Sequence, residues 1–342
     1  MRFHISLPPG KPFHVVGMGL NAVDELCVVP HYPQFDTKVR MQSLSRQGGG
    51  QVATAMVALA RWGLRVRYVG KVGDDERGHF SLESIREEGV EVSHVTVEPG
   101  ASNQFAFIII DARSGERTIL WDRDERLRYR EGELCREAIC SGSVLHVDGH
   151  DVSATHQALQ WAREAGMTTV IDIDKVEEGT TEMIQSVDFV ITSRSFPSHF
   201  TGIGDPEGAL KALGKEVRGF VAMTLGREGA LALTPEGPLH SPGFAVHAVD
   251  TTGAGDVFHA GFLFGLLRGW ELERILEFAN AVAAMNCTQL GGRPGIPRLP
   301  EALAFLAERL PHWAAVPVFA SGEGSRNGGS RAQGEPSRSQ SG

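Results

Sequence analysis

The sequence predicts an α/β protein with a mostly parallel central sheet. Three observations indicate this class: short runs rich in Val, Ile and Phe alternate with segments of helical length, glycine-rich turns follow several of these runs, and 342 residues can bury one large core. Strands that alternate with helices of this length form a parallel sheet covered on both faces. Ligands of such sheets bind at the carboxyl ends of strands, so residues that follow a strand are the first site candidates.

The alternation runs through most of the chain. Apolar, β-branched runs predict strands at 13–17, 66–69, 144–147, 169–173, 189–192 and 220–224. Helical spacing of apolar residues predicts helices at 50–62, 78–88, 153–165, 206–213, 261–267 and 271–286. Two segments, 25–47 and 101–122, instead show strand-like alternation. We expect them to pair as a small separate sheet over the open end of the α/β domain, as a lid or a dimer surface.

The two ends differ in composition from the domain between them. Residues 1–12 contain three prolines and predict a loose arm. Residues 313–342 are rich in Ser, Gly, Arg, Gln and Glu, which predicts a disordered tail because such a segment cannot bury enough apolar surface. The folded domain is therefore expected over residues 13–312.

The charge and the cysteine content limit the partners and the cellular compartment that the sequence allows. The net charge is −9 and no run of Lys and Arg interrupts it, so we expect neither nucleic acid nor an anionic membrane as a partner. No apolar run approaches the length of a signal peptide or a membrane span. Cys27, Cys135, Cys140 and Cys287 have no CxxC spacing, which is typical of a reducing cytosol and predicts a cytoplasmic protein.

The most informative motif is DTTGAGD at residues 250–256, followed by the apolar VFHAGFLFG. Gly253 and Gly255 permit a tight turn and the close approach of a ligand, and the free N–H groups of a helix's first turn attract an anion. Asp256 would lie beside that anion and could take a proton from a hydroxyl while the anion hole holds a phosphoryl group. A capped helix start is the structural alternative.

A second glycine cluster, GGGQ at residues 48–51, leads into the helix at 50–62. It suits a polar ligand near Gln51 and Thr54, and it suits tight helix–sheet packing equally well. Asp24 follows the first strand, where a carboxylate either accepts hydrogen bonds from vicinal hydroxyls or caps a turn.

A third turn follows the strand at 220–224. Thr224, Gly226 and Gly229 would form a backbone wall against a nucleotide, although a plain hairpin fits the same residues.

Together these pieces resemble the ribokinase-like (PfkB) family of sugar and nucleoside kinases, over residues 13–310. DTTGAGDVFHAGF matches the family's C-terminal signature, and GGGQVATAMVALARWG followed by YVGKVGDDERG matches the glycines of its N-terminal signature. VPHYPQFDTKVR, SGERTILWD and LHVDGHD are most similar to ketohexokinase and fructokinase-type members. The resemblance implies a three-layer α/β/α domain with a small β-sheet lid. It also implies ATP-dependent phosphorylation of a hydroxyl of a small sugar, with a ketose such as fructose as the preferred acceptor.

The resemblance also implies roles for individual residues. Asp256 would be the catalytic base, and the N–H groups of Gly253, Ala254 and Gly255 would form the anion hole. The implied sugar-binding residues are Asp24, Gly50, Gln51, Thr54, Asp148 and Gln104, with His150 and Phe105 as lesser candidates. The implied nucleotide-binding residues are Thr224, Gly226, Gly229, Arg194 and Asn280.

Cofactors and assembly follow from the same resemblance. Mg²⁺ would be carried mainly by ATP, with water between the metal and the protein. Asp250 and the carbonyl of Thr252 would hold a monovalent cation such as K⁺. The lid sheet permits a homodimer.

Two positions depart from the family pattern. Thr54 stands where the family usually has Asn, and residues 193–196 read SRSF where an NxxE pattern is expected. Two alternatives therefore stay open: a ribose or nucleoside kinase, and a non-catalytic sugar or nucleotide sensor on the same fold. A Rossmann-type dehydrogenase fits poorly, because no GxGxxG follows the first strand with an acidic residue at the right distance.

Overall fold

Two sheets and ten α-helices make up the part of the chain that this computed structural model describes, residues 1–5 and 7–314. The strands are β1 (Phe13–Met18), β2 (Ala22–Val29), β3 (Ser43–Gly49), β4 (Val66–Gly73), β5 (Val95–Glu98), β6 (Phe105–Asp111), β7 (Arg117–Asp122), β8 (Gly142–Val147), β9 (Thr168–Ile173), β10 (Phe189–Thr192), β11 (Phe220–Thr224), β12 (Ala230–Thr234) and β13 (Gly237–Ser241). The helices are α1 (Gln51–Arg61), α2 (Glu76–Arg86), α3 (Arg136–Ile139), α4 (Val152–Glu164), α5 (Thr180–Gln185), α6 (Ser195–Thr201), α7 (Pro206–Glu216), α8 (Ala254–Leu267), α9 (Leu272–Asn286) and α10 (Leu299–Arg309).

The large sheet has the strand order β13-β12-β11-β10-β9-β8-β1-β4-β5. Its strands pair in parallel from β11 to β5, and β12 and β13 add an antiparallel edge. The predicted fold class is thus confirmed. The hairpin considered for residues 224–229 is also present, because β11 turns back into β12 through the short 3₁₀ helix Gly226–Glu228.

Helices cover both faces of this sheet. On β1, Val15 packs with the cluster that contains α1, α8, α9 and α10, whereas its neighbour Val16 packs with the cluster that contains α4, α5 and α7. Successive strand side chains point to opposite faces, so one apolar run supplies both cores. This explains why the central strands read as continuous apolar runs rather than as alternating patterns.

The smaller sheet is the lid, with strand order β3-β2-β6-β7. The two segments expected to form it, 25–47 and 101–122, supply most of its residues. Asp24 lies inside β2, opposite Gln47 of β3 and Ala106 of β6, so the alternative that it caps a turn after the first strand is wrong. The chain leaves β1 and enters the lid within three residues, so that Asp24 is already on a lid strand.

Both ends of the described chain pack against the core. Phe3 lies in the predicted loose arm, yet its ring centre is 4.9 Å from that of Phe189 and 5.0 Å from that of Phe220. Trp313 is 2 % exposed, meets the Trp270 ring edge-on and stacks with Phe278, so the folded part includes the first residues of the predicted tail. An aromatic side chain in each segment supplies the apolar area that the polar neighbours lack. The tail from residue 315 lies outside the described residues.

None of the described helices is long and apolar enough to cross a membrane.

Candidate active site

Two cavities flank the first turn of α8. The carboxylate-lined cavity, of about 320 Å³, lies between the lid and the carboxyl ends of the large sheet and includes Asp24 and Asp256. The glycine-lined cavity, of about 610 Å³, includes Gly226, Gly229 and Gly255. Residues 252, 253 and 256 line the first cavity, and residues 254 and 255 line the second. One helix start therefore forms the wall that the two cavities share.

Gly253 shapes this helix start. Its φ is 73°, and a Cβ there would lie 2.5 Å from the carbonyl oxygen of Gly292, so only glycine fits. The N–H of Ala254 bonds to the Thr251 carbonyl at 3.3 Å, which corrects the prediction that this amide is free. The N–H groups of Gly253, Gly255 and Asp256 have no backbone acceptor in the described part of the chain. With the positive end of a 14-residue helix, they form an anion-binding position.

Asp256 is half-buried at the mouth of the carboxylate-lined cavity. Desolvation raises its pKa well above the ordinary value, and the nearby carboxylates of Asp172 and Asp24 raise it further, while Arg293 lowers it. A carboxylate with a raised pKa is a stronger base than an exposed one.

Asp24 is buried on the lid strand β2. Desolvation raises its pKa to about 6, against the lowering effect of Arg293. A Cβ at Gly49 would collide with the Asp24 carboxylate, and a Cβ at Gly50 (φ 92°) would lie 2.5 Å from the Leu20 carbonyl. The glycine cluster before α1 is therefore needed both for packing and for access to the cavity.

Gln51 and His150 both line the cavity and are in hydrogen-bond contact, with the Gln51 Oε1 and the His150 Nε2 2.6 Å apart. Asp148, a predicted sugar ligand, lies behind this wall and does not line the cavity. Its carboxylate accepts hydrogen bonds from the N–H groups of Leu20 (2.6 Å) and His150 (3.1 Å), and burial raises its pKa. Asp148 thus holds the loop that presents His150, and its role as a sugar ligand stays a prediction.

Thr54 lines the cavity, and its hydroxyl accepts a hydrogen bond from Arg293 at 3.3 Å. The same guanidinium donates to the Gly49 carbonyl (2.6 Å), to the Ser84 hydroxyl (3.0 Å) and to Asn21 Oδ1 (3.5 Å). It is 6 % exposed, and desolvation lowers its pKa to about 10, so it stays charged at neutral pH. Arg293 is a site residue that the sequence analysis missed, because it lies beyond both signatures.

Gln104 also lines the carboxylate-lined cavity, whereas Phe105 does not. Consecutive residues of a strand point to opposite faces, and Phe105 packs instead under the Arg77 guanidinium, 4.1 Å from its ring centre. The lesser candidate Phe105 therefore belongs to the outer face of the lid.

The glycine-lined cavity brings together four of the five predicted nucleotide residues: Thr224, Gly226, Gly229 and Asn280. The Asn280 side chain donates to the carbonyl (3.1 Å) and hydroxyl (3.0 Å) of Ser241, which fixes α9 against β13. Arg194 does not line this cavity. It is exposed and pairs with Glu228 at the rim, at 3.1 Å.

The predicted cation ligands Asp250 and Thr252 are both engaged by protein donors. Asp250 accepts from the N–H (2.9 Å) and hydroxyl (2.8 Å) of Thr252 and from the N–H of Gly291 (2.9 Å). The Asn286 amide donates to the carbonyls of Thr252 (3.2 Å) and Gly292 (3.1 Å). A neutral donor thus already bridges carbonyls that a cation would collect.

The described residues contain no group of three or more His, Cys, Asp and Glu side chains that could hold a metal ion. A magnesium ion at this site would therefore take most of its ligands from nucleotide phosphates and water.

Comparison with known proteins decides the family. The model of the pfkB family carbohydrate kinases matches residues 18–299. This chain belongs to that family. This kinase is 28 % identical to an ATP-dependent ribose-1-phosphate kinase of Halopiger xanaduensis, over 82 % of its own chain and 94 % of the relative. It is 27 % identical to the ketohexokinase of Mus musculus, over 80 % and 95 % of the two chains.

A solved structure supports the same family assignment. A proposed ribokinase of Agrobacterium tumefaciens is 29 % identical to this kinase, with a TM-score of 0.82 over 87 % of this chain and 99 % of the other. Structures of related kinases hold ATP, and one of them also holds Mg²⁺. The resemblance inferred from the two signatures, the ribokinase-like fold and the assignment as a sugar kinase are thereby confirmed.

Proposed function

We propose that this kinase transfers the γ-phosphoryl group of ATP to a hydroxyl of a small sugar, with a ketose such as fructose as the first candidate acceptor. One observation carries the proposal. The start of α8 presents Asp256 to the carboxylate-lined cavity and its amides at the border with the glycine-lined cavity. A base and an anion-binding position on one turn are the two elements that in-line phosphoryl transfer needs.

In this mechanism the sugar occupies the carboxylate-lined cavity. Asp256 takes the proton of the attacking hydroxyl as the oxygen approaches the γ-phosphorus. Asp24 and Gln51 accept hydrogen bonds from other hydroxyls and fix the orientation, which supplies much of the rate enhancement. The lid covers the site and excludes water, so that transfer to the sugar is favoured over hydrolysis.

The nucleotide occupies the glycine-lined cavity. Backbone at Gly226 and Gly229 approaches the ligand closely, and α9 with Asn280 supplies the opposite wall. The amides of Gly253 and Gly255 bind the charge that spreads over the phosphoryl oxygens. Mg²⁺ held by the phosphates would neutralise part of that charge. The K⁺ site expected at Asp250 and Thr252 stays a prediction, and the hydrogen bond from the Asn286 amide to the Thr252 carbonyl would weaken it.

Two further expectations stay proposals. The lid presents Leu44 and Leu120 more than half exposed on its surface, and a second copy of the chain that covers them would form a homodimer. Light scattering of wild type and Leu120→Asp tests this.

The cytoplasmic location expected from the cysteines also remains a prediction.

The acceptor is tested by measuring ADP release from ATP and Mg²⁺ with fructose, tagatose, ribose and adenosine. The proposal predicts turnover with at least one sugar. Turnover with adenosine alone would favour the nucleoside kinase alternative. A thermal shift with a ligand but no ADP with any acceptor would contradict the proposal and favour the sensor alternative.

A further inference from the structure

The carboxylate-lined cavity is also lined by three cations, Arg123, Arg128 and Lys175, next to the carboxylates of Glu125, Asp174 and Glu177. On β7 and just beyond it, the alternate residues Ile119, Trp121 and Arg123 line the cavity, so one face of this strand points inward. The pairing of β6 with β7 places Ala106 opposite Trp121, and the same register extended by two residues places Gln104 opposite Arg123. The inner face of the lid therefore ends in an amide and a guanidinium.

Arg123 is half-buried and has few partners. The hydrogen bond of its guanidinium goes from Nη2 to the Leu127 carbonyl at 3.3 Å, and no carboxylate of the described chain lies within 4.0 Å of it. Lys175 is exposed, its Nζ lies 4.6 Å from the ring centre of Trp121, and no carboxylate of the described residues lies within 4.0 Å of that Nζ, although its charge lowers the pKa of the neighbouring Asp174. By contrast, Arg128 is paired with Glu125 at 2.8 Å. Two cations that line the cavity thus remain able to bind an anion.

The carboxylates that handle hydroxyls lie on the other side. Asp24 is on β2, and β6 separates β2 from β7, so Asp24 and Arg123 are about two strand spacings apart and two residues out of level, roughly 12 Å between backbones. A sugar with one hydroxyl at Asp256 and others at Asp24 would point its remaining end toward β7. Gln104 Oε1 is buried there, without a hydrogen-bond partner among the described residues.

We infer that the acceptor is a sugar that carries a phosphate, carboxylate or sulfonate group, and that Arg123, assisted by Lys175, binds this group. The inference rests on the proposed function and names its substrate class. A guanidinium presents its N–H donors in a planar fork that matches all three anions, and such charge-assisted bonds are stronger than neutral ones. The Gln104 amide would accept a hydrogen bond from the hydroxyl next to the anionic group.

A structural role for Arg123 competes with this inference. Asp148 is buried close by, and the charge of Arg123 lowers the pKa that burial raises. If Arg123 only compensated Asp148, its loss would weaken the binding of neutral and anionic sugars alike. Discrimination between matched acceptors therefore separates the two roles.

The experiment measures kcat/KM for matched pairs: fructose with fructose 6-phosphate and 6-deoxy-6-sulfofructose, ribose with ribose 1-phosphate and ribose 5-phosphate, and 3-deoxyglucosone with 2-keto-3-deoxygluconate. Wild type is compared with Arg123→Gln and Lys175→Gln. The matched control is Arg126→Gln, in the same loop but exposed, paired with Asp124 and outside the cavity.

We expect one anionic acceptor to exceed its neutral counterpart in kcat/KM. Arg123→Gln should lower that value about 10- to 100-fold and change the neutral value less than about threefold. The anionic group that gives the largest ratio identifies the natural one. A preference of wild type for every neutral partner, or equal losses for both members of a pair, would overturn the inference and leave the kinase proposal intact.

Direct binding keeps the inference testable if no acceptor is turned over. Calorimetric titration of the same anionic sugars into wild type should give binding that Arg123→Gln loses and Arg126→Gln keeps. In that case the proposed function fails while the anion site stands. Absence of binding by every anionic sugar, or equal binding by Arg123→Gln, would overturn the anion site itself.

Discussion

The two cavities at the start of α8 are lined by different kinds of groups. The glycine-lined cavity consists largely of backbone turns and apolar side chains, whereas the carboxylate-lined cavity collects charged side chains from both sheets and from their connecting loops. Phosphates and a purine ring are alike in every kinase that uses ATP, so a backbone cradle suffices for them. The acceptor distinguishes one family member from another, and we propose that the buried charges of the carboxylate-lined cavity recognise it here. The start of α8 therefore borders two kinds of site. We call the glycine-lined cavity the general half, because it suits any ATP, and the carboxylate-lined cavity the specific half, because it suits one acceptor.

The largest expected effect concerns Asp256, the proposed base at the border between the two cavities. Asp256→Asn should lower kcat about 10²- to 10⁴-fold, because the amide cannot take the proton, and should leave the Kd for ATP unchanged. Stopped assays for ADP and calorimetry with ATP measure both quantities. Asp36→Asn, in the lid loop between β2 and β3 and outside both cavities, is the control and should match wild type. A kcat within about threefold of wild type would remove Asp256 from the mechanism.

The next effect concerns the buried cation of the specific half. Arg293→Met removes the side-chain donor to the Gly49 carbonyl and Thr54 and the buried charge that lowers the pKa of Asp24, so we expect a loss of about 3–5 kcal/mol in the free energy of unfolding. Urea denaturation measures it, with exposed Arg218→Met as the control. Arg293→Lys, which keeps the charge but not the planar fork, should fold and show a raised KM for the acceptor. A loss under about 1 kcal/mol in Arg293→Met would contradict this account.

The pH dependence of Asp24 is the third test. Its pKa is about 6 in the folded protein against 3.8 when unfolded, so the folded state binds more protons between these values and stability falls as the pH rises through that range. Asp24→Asn removes the penalty. Its stability should equal that of wild type near pH 4 and exceed it by up to about 3 kcal/mol above pH 7. The same variant should lose acceptor affinity. Stabilisation that is independent of pH would point to another cause.

A smaller effect is expected in the general half. Gly229 has φ 96°, and a Cβ there would collide with the Ser241 carbonyl, so Gly229→Ala should cost about 1–3 kcal/mol of stability and raise the Kd for ATP. The control is Gly237→Ala, which has a positive φ but open space around it. Equal ATP affinities in the two variants would mean that the turn at Gly229 does not shape the nucleotide site.

The smallest effect concerns the cation. Because the Asn286 amide bridges the carbonyls of Thr252 and Gly292, replacing K⁺ by Na⁺ in the assay should change kcat by less than about twofold. Asn286→Ala should lower kcat and make it respond to K⁺. A strong K⁺ dependence of wild type would show that the cation, and not the amide, organises this loop.

The comparison also explains what the sequence could predict. The general half rests on glycines at fixed spacing, so Gly226, Gly229 and Gly253 were found from local patterns alone. The parallel sheet followed from its alternating elements, and the lid from two segments of strand-like alternation. In the carboxylate-lined cavity, Thr54 was predicted because it lies within the N-terminal signature, and Asp24 because it follows the first predicted strand.

What was missed depends on contacts between distant segments. Arg293 and Thr54 are far apart in sequence, and no local pattern indicates that a guanidinium will be buried between them. Asp148 has the residue type of a sugar ligand, and only its two backbone donors reveal a structural role. Arg123 appears in sequence as one charge in a charged loop, and the register of β6 with β7 is what turns it inward.

The most direct test of the central claim is a crystal structure of this kinase with a non-hydrolysable ATP analogue and its acceptor. We predict the nucleotide in the glycine-lined cavity, its γ-phosphate at the N–H groups of Gly253 and Gly255, and one acceptor hydroxyl about 2.6–3.2 Å from the Asp256 carboxylate. A γ-phosphate bound away from the start of α8, or an acceptor that places no hydroxyl within reach of Asp256, would contradict the account.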